Sequence, residues 1–105
     1  MTQNQAPVVI KTRRIKKERL DVEYPVVEGL ADKNVEQYIN SVLMGIVNNL
    51  IVKTGYYEDP KTDVTGRYHV RTNEKGILSI SIEMYWFAGG AHGMTIHDYI
   101  NLDLT

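Results

Sequence analysis

The residues best suited to metal or acid–base chemistry in this 105-residue sequence are three histidines: His69, His92 and His97. His92 and His97 stand five apart, with Asp98 directly after them. A zinc site needs three or four converging ligands, and two strand residues five apart point to opposite faces. The pair cannot chelate without a bulge, so no metal site is expected. His69, flanked by Tyr68 and Val70 with Arg67 and Arg71 beyond, has the surroundings of a surface strand. A hydrolase built on His92 and Asp98 would also need an exposed nucleophile. No G-x-S-x-G elbow is present, and Ser79 and Ser81 fall inside a strand-like stretch. Glu58 and Asp59 sit in an acidic segment without apolar neighbours to raise a carboxyl pKa. No glycine-rich phosphate loop opens a helix. The sequence has no cysteine, which removes a thiol nucleophile, a thiolate zinc site and a disulfide framework. No catalytic residue and no cofactor are expected.

The most unusual segment is Tyr85-Trp86-Phe87-Ala88-Gly89-Gly90-Ala91-His92-Gly93. Three consecutive aromatics cannot share one strand face, so Tyr85 and Phe87 are expected opposite Trp86. The glycines permit either a tight turn, needing backbone angles other residues resist, or an exposed loop that contacts a ligand. On the second reading Tyr85, Phe87, Gly89, Gly90 and His92 form the contact loop.

Charge is unevenly spread. The net charge of −1 averages a segment of +5, in which Lys11, Arg13, Arg14, Lys16, Lys17 and Arg19 face Glu18 alone, and a remainder of −6. Lys11, Arg13, Arg14, Lys16 and Lys17 could attract an anionic partner such as wall polymer. They could equally be the charges that protect an edge strand from pairing with another chain. No aromatics interleave with them, as a nucleic-acid platform would require, so no nucleic-acid partner is expected. No apolar run is long enough to span a bilayer, so no membrane insertion is expected within this sequence.

These residues need elements to hold them. A hydrophobic fraction of 43% and this length suit one small globular domain. Residues 1–7 read as a disordered tail and residues 8–105 as the domain. Val8 to Val27 reads as extended, either one long strand or two pieces broken near Glu18 to Asp21. Ala31 to Lys53 carries a helical stripe of Val35, Ile39, Val42, Leu43, Ile46 and Leu50. Asp32 is its expected N-cap and Gly55 its stop, while Gly45 inside it implies close packing on the sheet. Tyr56 to Thr65 reads as a loop and Arg67 to Thr72 as a strand. Asn73-Glu74-Lys75-Gly76 then reads as a hairpin turn. Leu78, Ile80, Ile82, Met84 and Trp86 alternate strictly. Met94, Ile96, Ile100, Leu102 and Leu104 repeat the pattern, with Asp98 requiring either a bulge or a buried partner. The expected fold is a two-layer α+β domain, an antiparallel sheet of about four strands with one long helix on one face. The expected order is strand, helix, strand, strand, strand.

The run Ile80-Ser81-Ile82-Glu83-Met84-Tyr85-Trp86-Phe87-Ala88-Gly89-Gly90-Ala91-His92-Gly93, followed by Tyr99-Ile100-Asn101-Leu102-Asp103-Leu104-Thr105, resembles a bacterial envelope domain of unknown function. That domain precedes the catalytic part of PdaC-type peptidoglycan deacetylases and lies outside the membrane in RsiV-type, lysozyme-sensing anti-sigma factors. Tyr24-Pro25-Val26-Val27-Glu28-Gly29-Leu30 and Ile39-Asn40 carry the resemblance upstream. It implies an extracytoplasmic, non-catalytic module, without the deacetylase's zinc-binding and catalytic motifs, followed by a related domain. Its partners would be a cell-wall polymer or a wall-associated protein such as lysozyme. Alternatively the module would pack on and position the downstream domain of the same polypeptide.

Overall fold

A break at Glu18–Arg19 sets the topology of the N-terminal third. In the computed structural model, which describes residues 7–90 and 92–104, Arg19 takes φ +63° and turns strand β1 (Val9–Lys17) into strand β2 (Leu20–Glu28). Of the expected tail only Pro7 lies among the described residues. Helix α1 (Lys33–Lys53) then carries the chain over the sheet. Strands β3 (Thr62–Glu74), β4 (Ile77–Ala88) and β5 (Met94–Asp103) complete a five-stranded sheet in the order β1-β2-β3-β4-β5.

The fold is α+β as expected, with two corrections. The sheet has five strands because the long extended stretch is a hairpin. It is also mixed: β2 and β3 are parallel over Leu20–Val22 and Val64–Gly66, while the other three pairings are antiparallel. The helical crossover returns the chain to the end where β2 began, which a hairpin connection cannot do. The loop expected over Tyr56 to Thr65 is correspondingly shorter, since β3 begins at Thr62.

Asp32 caps the helix as its residue type predicts, accepting from the backbone N–H groups of Asn34 and Val35 at 2.9 and 3.3 Å. The helix packs on β2, β4 and β5. Its buried residues are Ile39, Leu43, Val47, Leu50 and Ile51, so the stripe is rotated from the expected one. Val35 is exposed, with Val47 and Ile51 contributing instead. Across from it Leu78, Ile80, Ile82 and Met84 are wholly buried, as their alternation predicts. Asp98 needs no bulge. It stays in register opposite Ile82, half-buried, and accepts from the Tyr99 backbone N–H at 2.8 Å. The bulge lies instead in β3, between Val70 and Thr72, where Arg71 has no register partner on β4.

Two asparagines close gaps the strands leave. The Asn40 amide accepts from the Val27 N–H at 2.8 Å and donates to the Val27 carbonyl at 3.0 Å, a strand's pairing pattern supplied by a helix side chain. Asn73 makes the same pair of bonds with Val8, both at 2.8 Å. Each satisfies a backbone donor and acceptor where no neighbouring strand reaches.

Gly45 does not pack on the sheet. It is exposed, and a Cβ there would meet nothing within 4 Å. Gly45→Ala should therefore stabilise the protein by about 1 kcal/mol through helix propensity alone, read as a higher midpoint in urea. Asn40→Ala should cost about 1–3 kcal/mol by leaving the Val27 backbone groups without their partner, in the same titration.

Candidate functional site

Strand alternation divides the sheet into two faces. The helix covers one; the other carries the odd-numbered residues of β4 and β5 and their β3 neighbours. Across it run three consecutive rungs. Thr65, Tyr85 and Thr95 are aligned, then Arg67, Glu83 and His97, then His69, Ser81 and Tyr99. The middle rung is an ion cluster. Arg67 Nε donates to Glu83 Oε2 at 2.7 Å, and His97 Nε2 lies 2.9 Å from Glu83 Oε1. The Arg67 hydrogen bond holds the Glu83 carboxyl below its usual pKa, against the opposing effect of desolvation. His97 stacks on Tyr99, with ring centroids 6.4 Å apart and planes inclined by 13°. On the third rung Ser81 is buried, its hydroxyl accepting from Arg71 Nε at 3.1 Å.

Between the first two rungs lies a groove of about 270 Å³ lined by Thr65, Arg67, Glu83, Tyr85 and Thr95. Tyr85 forms its aromatic wall. The ring is seated on Gly93, its Oη, Cζ and Cε1 occupying the space that a Cβ at that position would fill. Any larger residue there would displace the tyrosine.

The expected contact residues divide. Tyr85 and Phe87 lie on this open face, opposite a partly buried Trp86. Phe87 is half-buried beside Asp63, its neighbour on β3. Gly89, Gly90 and His92 are exposed in the β4–β5 connection, and His92 makes no hydrogen bond or ion pair among the described residues. Ala91 lies outside the described residues. His92 and Asp98 form no hydrogen-bonded pair, since Asp98 lies on the helix side of the sheet. No group of three metal-ligating side chains occurs among the described residues. Arg67, Glu83, Thr65 and Thr95 escaped the sequence reading, and His97 figures there only with His92, because strand register rather than spacing brings these residues together.

The basic segment is an exposed edge strand whose charges are sorted by face. Arg14 and Lys16 both bind Asp21, with nitrogen–oxygen distances of 2.6 and 3.3 Å. The Arg14 hydrogen bond helps lower the Asp21 pKa to about 2. Lys11, Arg13 and Lys17 point to the other side of the ribbon and have no ion-pair partner among the described residues. Arg19 works structurally. Its Nη1 donates to the Thr62 carbonyl at 3.0 Å and its guanidinium sits 5.6 Å from the centre of the Tyr56 ring.

A family model described as deacetylase PdaC matches residues 14–95. No curated protein matches the chain. A solved member of the DUF3298 family from Bacteroides fragilis superposes with a TM-score of 0.66 at 16% identity, over 97% of this chain and 58% of its own. A DUF3298 family protein from Pseudomonas aeruginosa gives 0.52 at 16% identity, over 97% and 53%. The chain thus spans little more than half the length of either structure, and the likeness is one of fold.

Because Glu83 has a lowered folded pKa, its ion cluster stabilises the protein above the ordinary carboxylate value of 4.5. That contribution is lost as pH falls through the lowered value. Glu83→Gln should cost about 0.5–1 kcal/mol at pH 7, the scale of a partly exposed pair. The gap to wild type should close as unfolding titrations move from pH 7 toward pH 3.

Proposed function

The chain belongs to the PdaC domain family, and on that premise we propose that it is a non-catalytic module working outside the cytoplasm, where it binds peptidoglycan or a wall-associated protein. The observation that carries this reading is the uncovered sheet face. One side of the sheet is sealed by α1, while the other presents Tyr85, Tyr99, His97 and Arg67 to solvent beside the glycine-rich connection. Aromatic rings next to polar groups on a rigid sheet suit recognition without covalent chemistry. Phe87, Gly89, Gly90 and His92 extend that surface at one end. At the β1 edge Arg14 and Lys16 lie on this same side, through the Lys16–Asp21–Thr65 register, while Lys11, Arg13 and Lys17 lie on the helix side. Attraction to an anionic wall would thus act at that edge from both sides.

A second reading has the same face packing on a neighbouring domain and positioning it. It is favoured by the DUF3298 structures, of which this chain covers only 58% and 53%, so that each contains substantial further chain.

Retention on purified sacculi separates the two. The binding reading expects the protein to sediment with sacculi at low salt, and the Phe87→Ala/His92→Ala double variant to lose about fivefold or more in retained fraction, the effect of roughly 1 kcal/mol. Wild-type protein that stays in the supernatant overturns this reading. A longer chain in which Tyr85 and Phe87 become protected from solvent labelling supports the packing alternative.

A further inference from the structure

Four properties of the groove on the open sheet face together define a ligand. Its charges cancel locally: Glu83 gives one oxygen to Arg67 and the other to His97, so neither a lone cation nor a lone anion faces the groove. Its hydrogen-bonding capacity is unspent. The Thr65 and Thr95 hydroxyls make no side-chain hydrogen bond among the described residues, and Arg67, well exposed, uses only its Nε. Its aromatic wall is fixed in advance, because the Tyr85 ring is seated on Gly93. Its volume of about 270 Å³ falls just under the roughly 300 Å³ at which drug-sized pockets begin.

We infer that this groove binds one neutral pyranose ring of a glycan strand, stacked on Tyr85 and hydrogen-bonded by Thr65, Thr95 and the free guanidinium N–H groups of Arg67. A pyranose has an apolar C–H face that suits an aromatic ring and a rim of hydroxyl or acetamido groups that suits these donors and acceptors. An anionic ligand would find the Arg67 charge already engaged by Glu83, and the neighbouring cations Arg14 and Lys16 already bound to Asp21 beside Thr65. An apolar ligand would leave the Arg67 and threonine groups desolvated and unpaired, which is costly. The rigid seat of Tyr85 reduces the ordering that binding would otherwise require. His97 on the second rung and Tyr99 on the third, stacked on each other, extend the platform in the direction a second sugar would take.

The inference rests on the wall-binding reading for its setting and on the groove for its chemistry. The two can fail separately. The experiment is an amide chemical-shift titration of the wild-type protein with the tetramer of N-acetylglucosamine. Parallel titrations use a glucose tetramer and a glycerol-phosphate polymer. Saturable shifts at Thr65, Arg67, Tyr85 and Thr95 are expected with the first. They should weaken about tenfold in Tyr85→Ala and in Gly93→Ala, the scale of losing one aromatic anchor. Thr95→Val, which keeps the strand and removes the hydroxyl, should weaken them without disturbing the remaining spectrum. Shifts confined to the β1–β2 ribbon, a response only to the anionic polymer, or no saturable shift with either sugar would each overturn the inference. Sacculus retention that survives Tyr85→Ala unchanged would overturn the groove while leaving wall binding intact. Sugar binding in a protein that ignores sacculi would do the reverse.

Discussion

Three residues of parallel pairing, Leu20–Val22 against Val64–Gly66, hold this protein together as one sheet. On one side is a two-stranded ribbon and on the other a three-stranded meander. Neither buries a core alone. At the join Val22, Gly66 and Met84 form one rung across three strands. A Cβ at Gly66 would lie 2.6 Å from the Met84 sulfur and 2.9 Å from a Val22 methyl. Glycine is required there because Val22 and Met84, both wholly buried, meet across its missing side chain. The short ladder is reinforced by the Arg19 carbonyl, which accepts from the Val64 N–H at 2.9 Å, and by the Arg19 guanidinium on Thr62. Beyond Val22 the strands separate, and Asn40 and Asn73 supply the missing hydrogen bonds.

That construction explains the shape. The molecule measures 56 × 21 × 16 Å, with a radius of gyration of 15.5 Å, against about 13 Å for a compact domain of this size. A single helix laid over a long twisted sheet can seal only one face. The other stays polar and half-aromatic, with its buried polar groups paired and its exposed threonine hydroxyls left to solvent. No buried side-chain nitrogen or oxygen among the described residues lacks a partner. The Arg67–Glu83–His97 cluster is therefore first a structural solution for a solvent-facing sheet centre. The groove beside it arises because two threonines, small beside Tyr85, occupy the flanking strands.

Much of the local structure was legible because it depends on residues close in sequence. The Asp32 cap, the Gly55 stop and the wholly buried stripe of β4 follow from hydrogen-bonding chemistry and side-chain period. The Lys75–Gly76 turn, both residues at positive φ, follows from the same reasoning. The helix stripe was only half legible. Val35 and Val47 are the same residue type, and which of them is covered depends on where β2 and β5 lie beneath the helix. Gly45 shows the opposite limit: a glycine inside a helix suggests close packing, yet here nothing approaches it.

From the sequence alone came the helix, the strand character of most extended segments, the alternating core face of β4 and the resemblance to the PdaC-type domain. The strand count and the β3 boundaries did not come from it. Nor could it determine the site, for a reason visible in one pairing. Counting back from the Lys75–Gly76 turn, where Glu74 faces Ile77, an unbroken ladder would set Arg67 against Met84 and thus into the core. The bulge between Val70 and Thr72 shifts the register by one residue and sets Arg67 against Glu83 on the open face. The same shift places Gly66 under Met84. One extra residue in one strand thus fixes both the tightest contact of the core and the ion cluster of the groove. The energy that selects it comes from packing across three strands, so only the tertiary structure could decide it.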